Sequence, residues 1–559
     1  MPTFRQRLAP RFAVLGGVVI AVLGVLLLRL WSMQVLSGPA FAAQAEENRV
    51  REVTTVAPRG RILDRAGREL VTNRATLAVV APASAAEDEE LLGKLSSLLD
   101  IPAAELKDRI SSRKEAALAL RVVAIDVPMD VVAYISEHGS DFPGIEVQTR
   151  AVRVYPQGKL AAHVLGYTGG ISEEEIASPE FKGYDPTDVV GKAGAEKSFE
   201  SVLQGDRGVR KLEVDASGQP RRIISVTDPE PGRDVVLTID SRVQKIAEKA
   251  LADAMKDAHK QKYYEAKSGA AVALDVRTGE VLAMASAPTY DPTVFLGGLS
   301  TKEWRSLTST ESEYPLSNRA IMAQYPPAST FKAFTGLAGL QDGITRQWAT
   351  YQCAGRWTGM GEQWKKWCWK HSGHGTESFM QGIVDSCDVV FYEIGYDFYK
   401  AGGEKLQKFA RGFGFGSQTG IDLPGETDGR VPDAAWKKAY NENYPEYQRW
   451  LPGDTVNMAI GQGDMLVTPL QVAAAYGAIA GDGKVLKPHV LKTVLGGDGK
   501  PVLEAKTEVA FSPNVSASNL AIMRTALKEV TTQGTGRGAF AGMRTAVAGK
   551  TGTAQVAGK

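Results

Sequence analysis

The stretch STFK at residues 329–332 decides how this sequence folds and which chemistry it carries. It follows YPPA at residues 325–328, and prolines immediately before a helix favour its first turn. In such a helix Ser329 and Lys332 lie three residues apart on one face, so the lysine amine can take the proton of the serine hydroxyl. The helix N-terminus also favours the negative charge that develops during acyl transfer. The stretch therefore predicts a serine nucleophile with a lysine base.

Spacing alone does not identify the nucleophile, and companion motifs are needed. SSRK at residues 111–114 has the same spacing, but it lies in a charged segment that we expect to be a surface helix. STFK instead shares its half of the chain with SCD at residues 386–388 and with KTGT at residues 550–553. We predict that KTGT lies in a strand over residues 544–556. Two serines, two lysines and a hydroxyl-lined strand thus meet in one domain, and we choose Ser329 over Ser111.

Nucleotides and nucleic acids are not predicted ligands. GKT at residues 549–551 is also the end of a phosphate-binding P-loop, but that loop needs a glycine five residues before Gly549, where this chain has Arg544. Lysine and arginine total 65 against 64 aspartate and glutamate, so no long-range positive field recruits nucleic acid. Partners must be recognised by local chemistry.

The order SxxK, SxD and KTG resembles the motif set of penicillin-binding proteins and serine β-lactamases. With RGRILDR at 59–65, WLPGD at 450–454 and GQGD at 461–464, residues 12–559 are similar to the class B penicillin-binding proteins of the cell-elongation machinery. The resemblance implies an α+β fold with an N-terminal transmembrane helix, a mixed α/β pedestal (dimerisation-like) domain and a penicillin-binding/β-lactamase-like transpeptidase domain. In that last domain helices flank an antiparallel sheet. The implied activity is that of a monofunctional peptidoglycan D,D-transpeptidase, inhibited by β-lactams.

The same resemblance implies a role for each catalytic residue. Ser329 would attack the penultimate D-alanine carbonyl of a donor stem peptide, with Lys332 as its base. Ser386 would relay the proton towards the leaving D-alanine. Asp388 would orient the lysine network and Lys550 would tune the charge of that network.

The KTGT motif would bind the substrate. The resemblance implies that Thr551, Gly552 and Thr553 line the site, with the two threonines holding the substrate carboxylate. The backbone N–H groups of Ser329 and Thr553 would form the oxyanion hole. An amine from a neighbouring peptide would then take the acyl group, whereas a β-lactam would acylate Ser329 by mimicking the donor.

The N-terminal region predicts a membrane anchor. Residues 12–28 are an unbroken run of apolar residues and glycines, which at about 1.5 Å per residue covers roughly 26 Å of a bilayer core of about 30 Å. Arg5, Arg7 and Arg11 precede the run, so we expect a single-pass inner-membrane protein with a cytoplasmic N-terminus and a periplasmic catalytic domain. The alternative is a cleaved signal peptide, because AQA at residues 43–45 has the spacing of a processing site, although it lies far beyond the run.

The best domain boundary is DPEPGR at residues 228–233, because two prolines and a glycine in six residues cannot continue a helix or a central strand. Beyond it we predict a helix over residues 241–259 and a hairpin over residues 271–285. The resembled proteins continue past the KTG strand, so we expect a truncated last domain, unstable or inactive when made alone. The predicted segments are a cytoplasmic tail at 1–11, a transmembrane helix at 12–32, the pedestal domain at 33–233 and the transpeptidase domain at 234–559.

The three cysteines, Cys353, Cys368 and Cys387, lie close together in sequence with His374 between them. Three cysteines and a histidine are a closed tetrahedral ligand set, so we predict a structural Zn²⁺, which acyl transfer itself does not require. His371 is the substitute ligand. The spacing matches no common zinc module, and two alternatives stay open: a Cys353–Cys368 disulfide with Cys387 free, or three free thiols.

Two other functions stay open for these residues. The first is a D,D-carboxypeptidase or β-lactamase, in which water replaces the acceptor amine, although an anchor and a large spacer favour a complex-bound synthase. The second is a non-catalytic β-lactam sensor or scaffold, against which the intact Ser329, Lys332 and Lys550 argue. The resemblance implies as partners peptidoglycan stem peptides, β-lactams, the membrane, a glycosyltransferase of the shape, elongation and division family, and elongation-complex proteins.

Overall fold

The computed structural model describes residues 4–36, 50–111, 120–185, 188–214, 220–296, 299 and 301–555. They divide into two compact units: residues 1–58 with 205–232, and residues 59–204 with 233–559. AQA at 43–45 and the last three residues of SSRK lie outside the described residues. Ser111 itself is exposed and immediately follows the helix Ala103–Ile110.

The first unit contains the apolar N-terminal segment. The helix Phe4–Trp31 continues into a π-helical turn, Ser32–Leu36. Within it Ala13–Val35 has a mean hydropathy of 2.6 over 23 residues, about 34 Å of helix, which is enough to cross a bilayer core of about 30 Å. This confirms the predicted helix and indicates a single-pass membrane anchor. The same unit contains an antiparallel sheet of three strands, Val50–Thr55, Gly208–Val214 and Pro220–Thr227.

A seven-stranded sheet organises the second unit. The short strand Ile62–Leu63, from RGRILDR, pairs in parallel with Asp234–Leu237, and the remaining pairs are antiparallel. One sheet therefore contains strands from both sides of the DPEPGR segment. In order the strands are Pro501–Glu504, Leu491–Leu495, Asp234–Leu237, Ile62–Leu63, Glu69–Ala81 and Arg121–Ile125, with Glu146–Val154 also paired to Glu69–Ala81.

Buried ion pairs tie RGRILDR to the rest of the second unit. Arg59 Nε and Arg153 Nε each donate to the Glu196 carboxylate, over 2.8 Å in both cases, and Arg59 also binds Glu200. Two positive and two negative groups balance, and a buried charge is tolerated only when it is paired in this way. Asp64 accepts a hydrogen bond from Ser241 Oγ, 2.7 Å away, at the start of the helix Ser241–Lys260.

Smaller elements complete residues 59–204. Three helices pack their leucine and isoleucine faces into one apolar cluster with the sheet. These helices are Glu89–Leu99, Ala103–Ile110 and Met129–Glu137. Four shorter helices are Ala162–Leu165, Glu173–Ile176, Gly194–Ser198 and Glu200–Leu203. The strand Thr168–Gly170 pairs with Val189–Gly191.

The C-terminal part carries the predicted motifs. The helix Ser241–Lys260 and the hairpin of Gly269–Leu274 with Val281–Ala287 are close to the predicted ranges. The helix Lys332–Gln341 is buried at the centre of the largest apolar core. The other helices are Thr301–Thr308, Phe379–Val384, Asp388–Ala401, Lys405–Gly412, Ala434–Tyr440, Pro452–Ala459, Pro469–Ala480, Ala517–Thr532 and Arg537–Phe540. The small strand pairs are Thr350–Cys353 with Gly375–Ser378, Arg356–Trp357 with Lys366–Trp367, and Val485–Leu486 with Val509–Phe511.

The predicted strand over residues 544–556 is wrong for the part that is described, since residues 544–555 contain no strand. A strand needs a ladder of backbone hydrogen bonds to a neighbour. Here Gly549 N–H instead donates to Leu527 O, 3.0 Å away on the helix Ala517–Thr532, and Val547 O accepts from Thr531 Oγ1, 2.5 Å away. The segment is held by a helix and not by a sheet.

Candidate active site and thiol cluster

Ser329 lies in a tight turn that leads into a buried helix. The 3₁₀ turn Ala328–Phe331 continues directly into Lys332–Gln341, as the prolines predicted. Ala328 has a φ of +52°, a strained value for a residue with a side chain. Its N–H donates to Gly461 O over 2.8 Å, and a Cβ on Gly461 would lie 2.2 Å from Ala328 O. The GQGD loop therefore holds the turn, and only glycine fits at position 461.

Lys332 points into the protein and contacts the SCD motif. Its side chain is 0% exposed. Its Nζ lies 2.6 Å from Asp388 Oδ1, 2.8 Å from Ser386 O and 3.4 Å from Ser386 Oγ. Among the described residues Lys332 makes no hydrogen bond to Ser329, and such contacts often tighten only when substrate is bound. The structure thus brings Lys332, Ser386 and Asp388 together, as the motif order predicted.

Ser386 occupies a strained junction between two helices. It follows Phe379–Val384, precedes Asp388–Ala401, and has a φ of +55°. This conformation turns both its carbonyl and its hydroxyl towards Lys332. Strained backbone of this kind persists where the surrounding structure fixes it, often at functional sites.

The KTGT motif approaches the turn that contains Ser329. A Cβ on Gly552 would lie 2.9 Å from Thr330 Cγ2, so glycine permits this contact. Burial first, and then the positive charge of Lys332, lower the pKa of the Lys550 amine to about 7, against the opposing effect of Asp388. Lys550 is therefore close enough to the Lys332 and Asp388 pair to respond to its charge.

The threonines of KTGT are exposed and face the solvent side of the site. Thr551 shares a 2.6 Å hydrogen bond with the Thr535 hydroxyl, and Thr553 O accepts a 3.4 Å hydrogen bond from Gln462 Nε2. Gln462 belongs to the GQGD stretch, but its contact with KTGT was not predicted. The two hydroxyls remain accessible to a ligand.

The four predicted metal ligands form one cluster. The sulfurs of Cys353, Cys368 and Cys387 and a ring nitrogen of His374 all lie within 4.8 Å of one another. His374 Nδ1 is 3.5 Å from Cys353 Sγ and 3.6 Å from Cys368 Sγ. A tetrahedral ion with bonds of about 2.3 Å to sulfur and about 2.0 Å to nitrogen would separate these atoms by about 3.5 Å, so the set fits a metal such as zinc.

The chemistry of the cluster also suits a cation. The three cysteines are free thiols, with no disulfide between them. A hydrogen bond from Cys387 lowers the pKa of the Cys368 thiol to about 5, which favours the thiolate that binds metals, while the same bond and burial raise the pKa of Cys387. His374 Nε2 is buried without a partner among the described residues, whereas His371 is exposed and lies outside the cluster.

Trp369 and Glu377 connect to this region and were not predicted. Trp369 N–H donates to Asp388 Oδ2 over 2.8 Å, and its indole N–H donates to Asp385 O over 3.0 Å. Burial, followed by neighbouring Asp385, raises the pKa of the Glu377 carboxyl to about 7. The only sequence signal for Trp369 was its position next to Cys368.

The arrangement can perform acyl transfer. A serine at a helix N-terminus lies beside a buried network of an amine, a second serine and a carboxylate, the parts that nucleophile activation requires.

Comparison with known proteins supports that assignment. The family model "Penicillin binding protein transpeptidase domain" matches residues 269–559, and "Penicillin-binding Protein dimerisation domain" matches residues 54–237. The peptidoglycan D,D-transpeptidase MrdA of Acinetobacter baumannii is 35% identical over 547 residues, which cover 97% of this chain and 77% of that protein.

Solved structures share the fold over most of the chain. A complex of PBP2 with MreC from Helicobacter pylori has a TM-score of 0.75 and 31% identity, over 91% of this chain and 90% of that one. A peptidoglycan synthase complex that coordinates polymerization and crosslinking gives a TM-score of 0.70 and 30% identity, over 98% and 89%. The chain therefore belongs to the PBP2 family of class B penicillin-binding proteins, the peptidoglycan D,D-transpeptidases of cell elongation.

Proposed function

We propose that this chain cross-links peptidoglycan stem peptides through an acyl-enzyme on Ser329. The observation that carries the proposal is the fully buried Lys332 amine, held between Ser386 and Asp388 one helical turn from Ser329. Ser329 Oγ attacks the penultimate D-alanine carbonyl while a proton passes to Lys332. Ser386 relays that proton to the departing D-alanine, and the amine of a second peptide then takes the acyl group.

The charge balance of the site makes a basic amine available. Lys332 and Lys550 face a single carboxylate, Asp388, so one ammonium is neutralised and a second is disfavoured. Because the pKa of Lys550 is about 7, near neutral pH its amine is partly deprotonated and can take up a proton from the network. Asp388 orients Lys332, and Lys550 sets the net charge around it.

The KTGT segment positions the donor. Thr551 and Thr553 hold the substrate carboxylate, and Gly552 lets them approach the nucleophile turn. The backbone N–H groups of Ser329 and Thr553 stabilise the oxyanion.

We also propose the domain organisation and location of the chain. The segments are the cytoplasmic tail 1–11, the membrane helix 12–32, the pedestal 33–233 and the catalytic domain 234–559. The arginines before the apolar run keep the N-terminus in the cytoplasm, which places catalysis on the outer face of the inner membrane. Because relatives assemble with MreC and in a peptidoglycan synthase complex, the pedestal is proposed to bind elongation proteins and a membrane glycosyltransferase.

We further propose that the thiol cluster binds a structural zinc ion through Cys353, Cys368, His374 and Cys387. The ion would add a cross-link between three segments that also meet through backbone and side-chain hydrogen bonds. Cys387 separates Ser386 from Asp388, so the cluster holds the SCD motif from its buried side.

The nucleophile is tested by treating the purified chain with a penicillin and locating the adduct by peptide mass spectrometry. The expected adduct is on Ser329, and Ser329→Ala is expected to remove it because Ser329 lies in the turn that leads into the Lys332 helix. Ser111→Ala is the matched control and is expected to keep the adduct. An adduct on another residue, or one that survives in Ser329→Ala, contradicts the proposal.

The pKa of Lys550 predicts that the rate of acylation changes with pH. Its pKa of about 7 means that its charge, and its attraction for a penicillin carboxylate, is present below pH 7 and lost above it. The second-order acylation rate constant of the native chain should therefore show a step near pH 7. Lys550→Arg stays protonated, so its profile should lack that step. Identical profiles for the two proteins would refute the role of Lys550.

Zinc is tested by metal analysis of the purified chain. About one zinc per chain is expected, lost in Cys387→Ser because a closed site needs four ligands, with a lower thermal midpoint as a second readout. His371→Asn is the control, since His371 lies outside the cluster, and should keep the metal. Metal-free native protein, or equal loss in both variants, rules the site out.

A further inference from the structure

Three of the nine tryptophans of the chain are exposed within six consecutive residues, in and on either side of the second strand of the hairpin Arg356–Trp357 with Lys366–Trp367. Their side chains are 64%, 49% and 58% exposed at Trp364, Trp367 and Trp369. Large aromatic residues are mostly buried in folded proteins, and clusters of exposed ones mark interaction sites. We call the exposed side chains of this segment, which also include Lys365 and Lys370, the tryptophan face.

The thiol cluster and the tryptophan face use opposite sides of the same chain segment. Cys368 is completely buried, whereas its two neighbours Trp367 and Trp369 are exposed. In an extended segment alternate residues point to opposite sides, so the inward cysteine sets both tryptophans outward. Pairing of Arg356 with Trp367, and a 2.9 Å bond from Cys368 N–H to Gly355 O, keep this segment extended.

Hydrogen bonds hold the backbone of Trp367, the side chain of Lys366 and the ring of Trp369. Tyr392 OH donates to Trp367 O over 3.1 Å, and Lys366 Nζ donates to Asn457 Oδ1 over 2.7 Å. The Trp369 indole N–H is bonded to the SCD loop. Aromatic groups that are fixed before binding lose little conformational freedom when a ligand arrives, which favours affinity.

The tryptophan face is continuous with the reaction centre. Trp369 N–H binds one oxygen of Asp388, and the other oxygen of that carboxylate binds the Lys332 amine. A polymer that lies on the face therefore reaches the SCD side of the site. The donor is held by KTGT in the proposed function, so the SCD side is where a second strand can approach.

The charge of the tryptophan face identifies the class of ligand. Lys365 and Lys370 are exposed and have no ion-pair partner among the described residues. Flat apolar rings with two free ammonium groups suit a polymer of sugar rings that carries carboxylates. Uncross-linked peptidoglycan has this chemistry, since its glycan offers apolar ring faces and its stem peptides are anionic.

We propose that the tryptophan face binds the acceptor strand, the uncross-linked glycan whose stem peptide supplies the attacking amine. The inference rests on the proposed function, because it assigns the second substrate of the same site. Trp364 and Trp367 stack on sugar rings, Trp369 borders the reaction centre, and Lys365 and Lys370 attract stem-peptide carboxylates.

The test measures strand binding with the donor site blocked. The full chain in detergent is first acylated with penicillin, and fluorescent uncross-linked glycan strands with pentapeptide stems are titrated by anisotropy. The blocked native chain should bind the strands, and Trp367→Ala should bind at least about fivefold more weakly, because it removes one stacking ring. Its penicillin acylation rate should stay within about twofold of native, since its ring makes no contact with the catalytic groups.

Trp348→Ala is the matched control, because Trp348 is 72% exposed and lies before the strand Thr350–Cys353, at the end away from Cys353. It should bind strands within about twofold of native. The double variant with Lys365→Gln and Lys370→Gln should bind strands more weakly than the native chain. Its affinity should also change less with salt concentration. The same titration on Ser329→Ala without penicillin needs no acylation step, so its result does not depend on which residue penicillin modifies.

Three results would overturn the acceptor assignment. The first is a blocked chain that does not bind strands. The second is Trp367→Ala binding as tightly as Trp348→Ala. The third is an acylation rate in Trp367→Ala that falls as much as strand binding, which would mean that the ring supports the catalytic loop and not the acceptor.

Discussion

The contact between the Lys332 amine and the Asp388 carboxylate constrains the rest of the catalytic region. The lysine is removed from water, and an unpaired charge in that position costs several kcal/mol. Asp388 therefore has to lie within reach of a helix that begins more than fifty residues earlier in the chain. The helices Lys332–Gln341 and Asp388–Ala401 pack in one core around this contact. Catalytic geometry and fold stability depend on the same pair of groups.

Two strained residues and one buried cluster maintain that contact. Ala328 and Ser386 adopt left-handed backbone conformations on either side of the lysine, and tertiary contacts hold both of them in place. The thiol cluster fixes Cys387 from behind, and Trp369 fixes the second oxygen of Asp388 from the side. A change in any of these elements is expected to move the carboxylate and, through it, the Lys332 amine.

Motif spacing predicted much of the site because its parts are local. The STFK helix, the SCD companion and the cysteine and histidine set each depend on a few neighbouring residues, and the structure brings the members of each together. The family resemblance supplied the layered fold, which the comparisons confirm. The predicted strand at KTGT failed, because a strand depends on a partner that no local pattern encodes, and Gly549 and Val547 found a helix instead. The contacts of Trp369 and Gln462 were missed for a related reason, since both join segments that are distant in sequence.

The coupling of Lys332 and Asp388 is measured most directly by a double-mutant cycle on the rate constant for penicillin acylation of Ser329, with Lys332→Met, Asp388→Asn and the double variant. General acid–base groups contribute about 10²- to 10⁴-fold, so each single substitution is expected to lower the rate by at least about a hundredfold. When two residues act as one unit, removing either one already removes the contribution of both to the rate. The double variant should therefore be no slower than the slower single variant. Multiplied losses in the double variant, or a native rate in Asp388→Asn, would contradict this account.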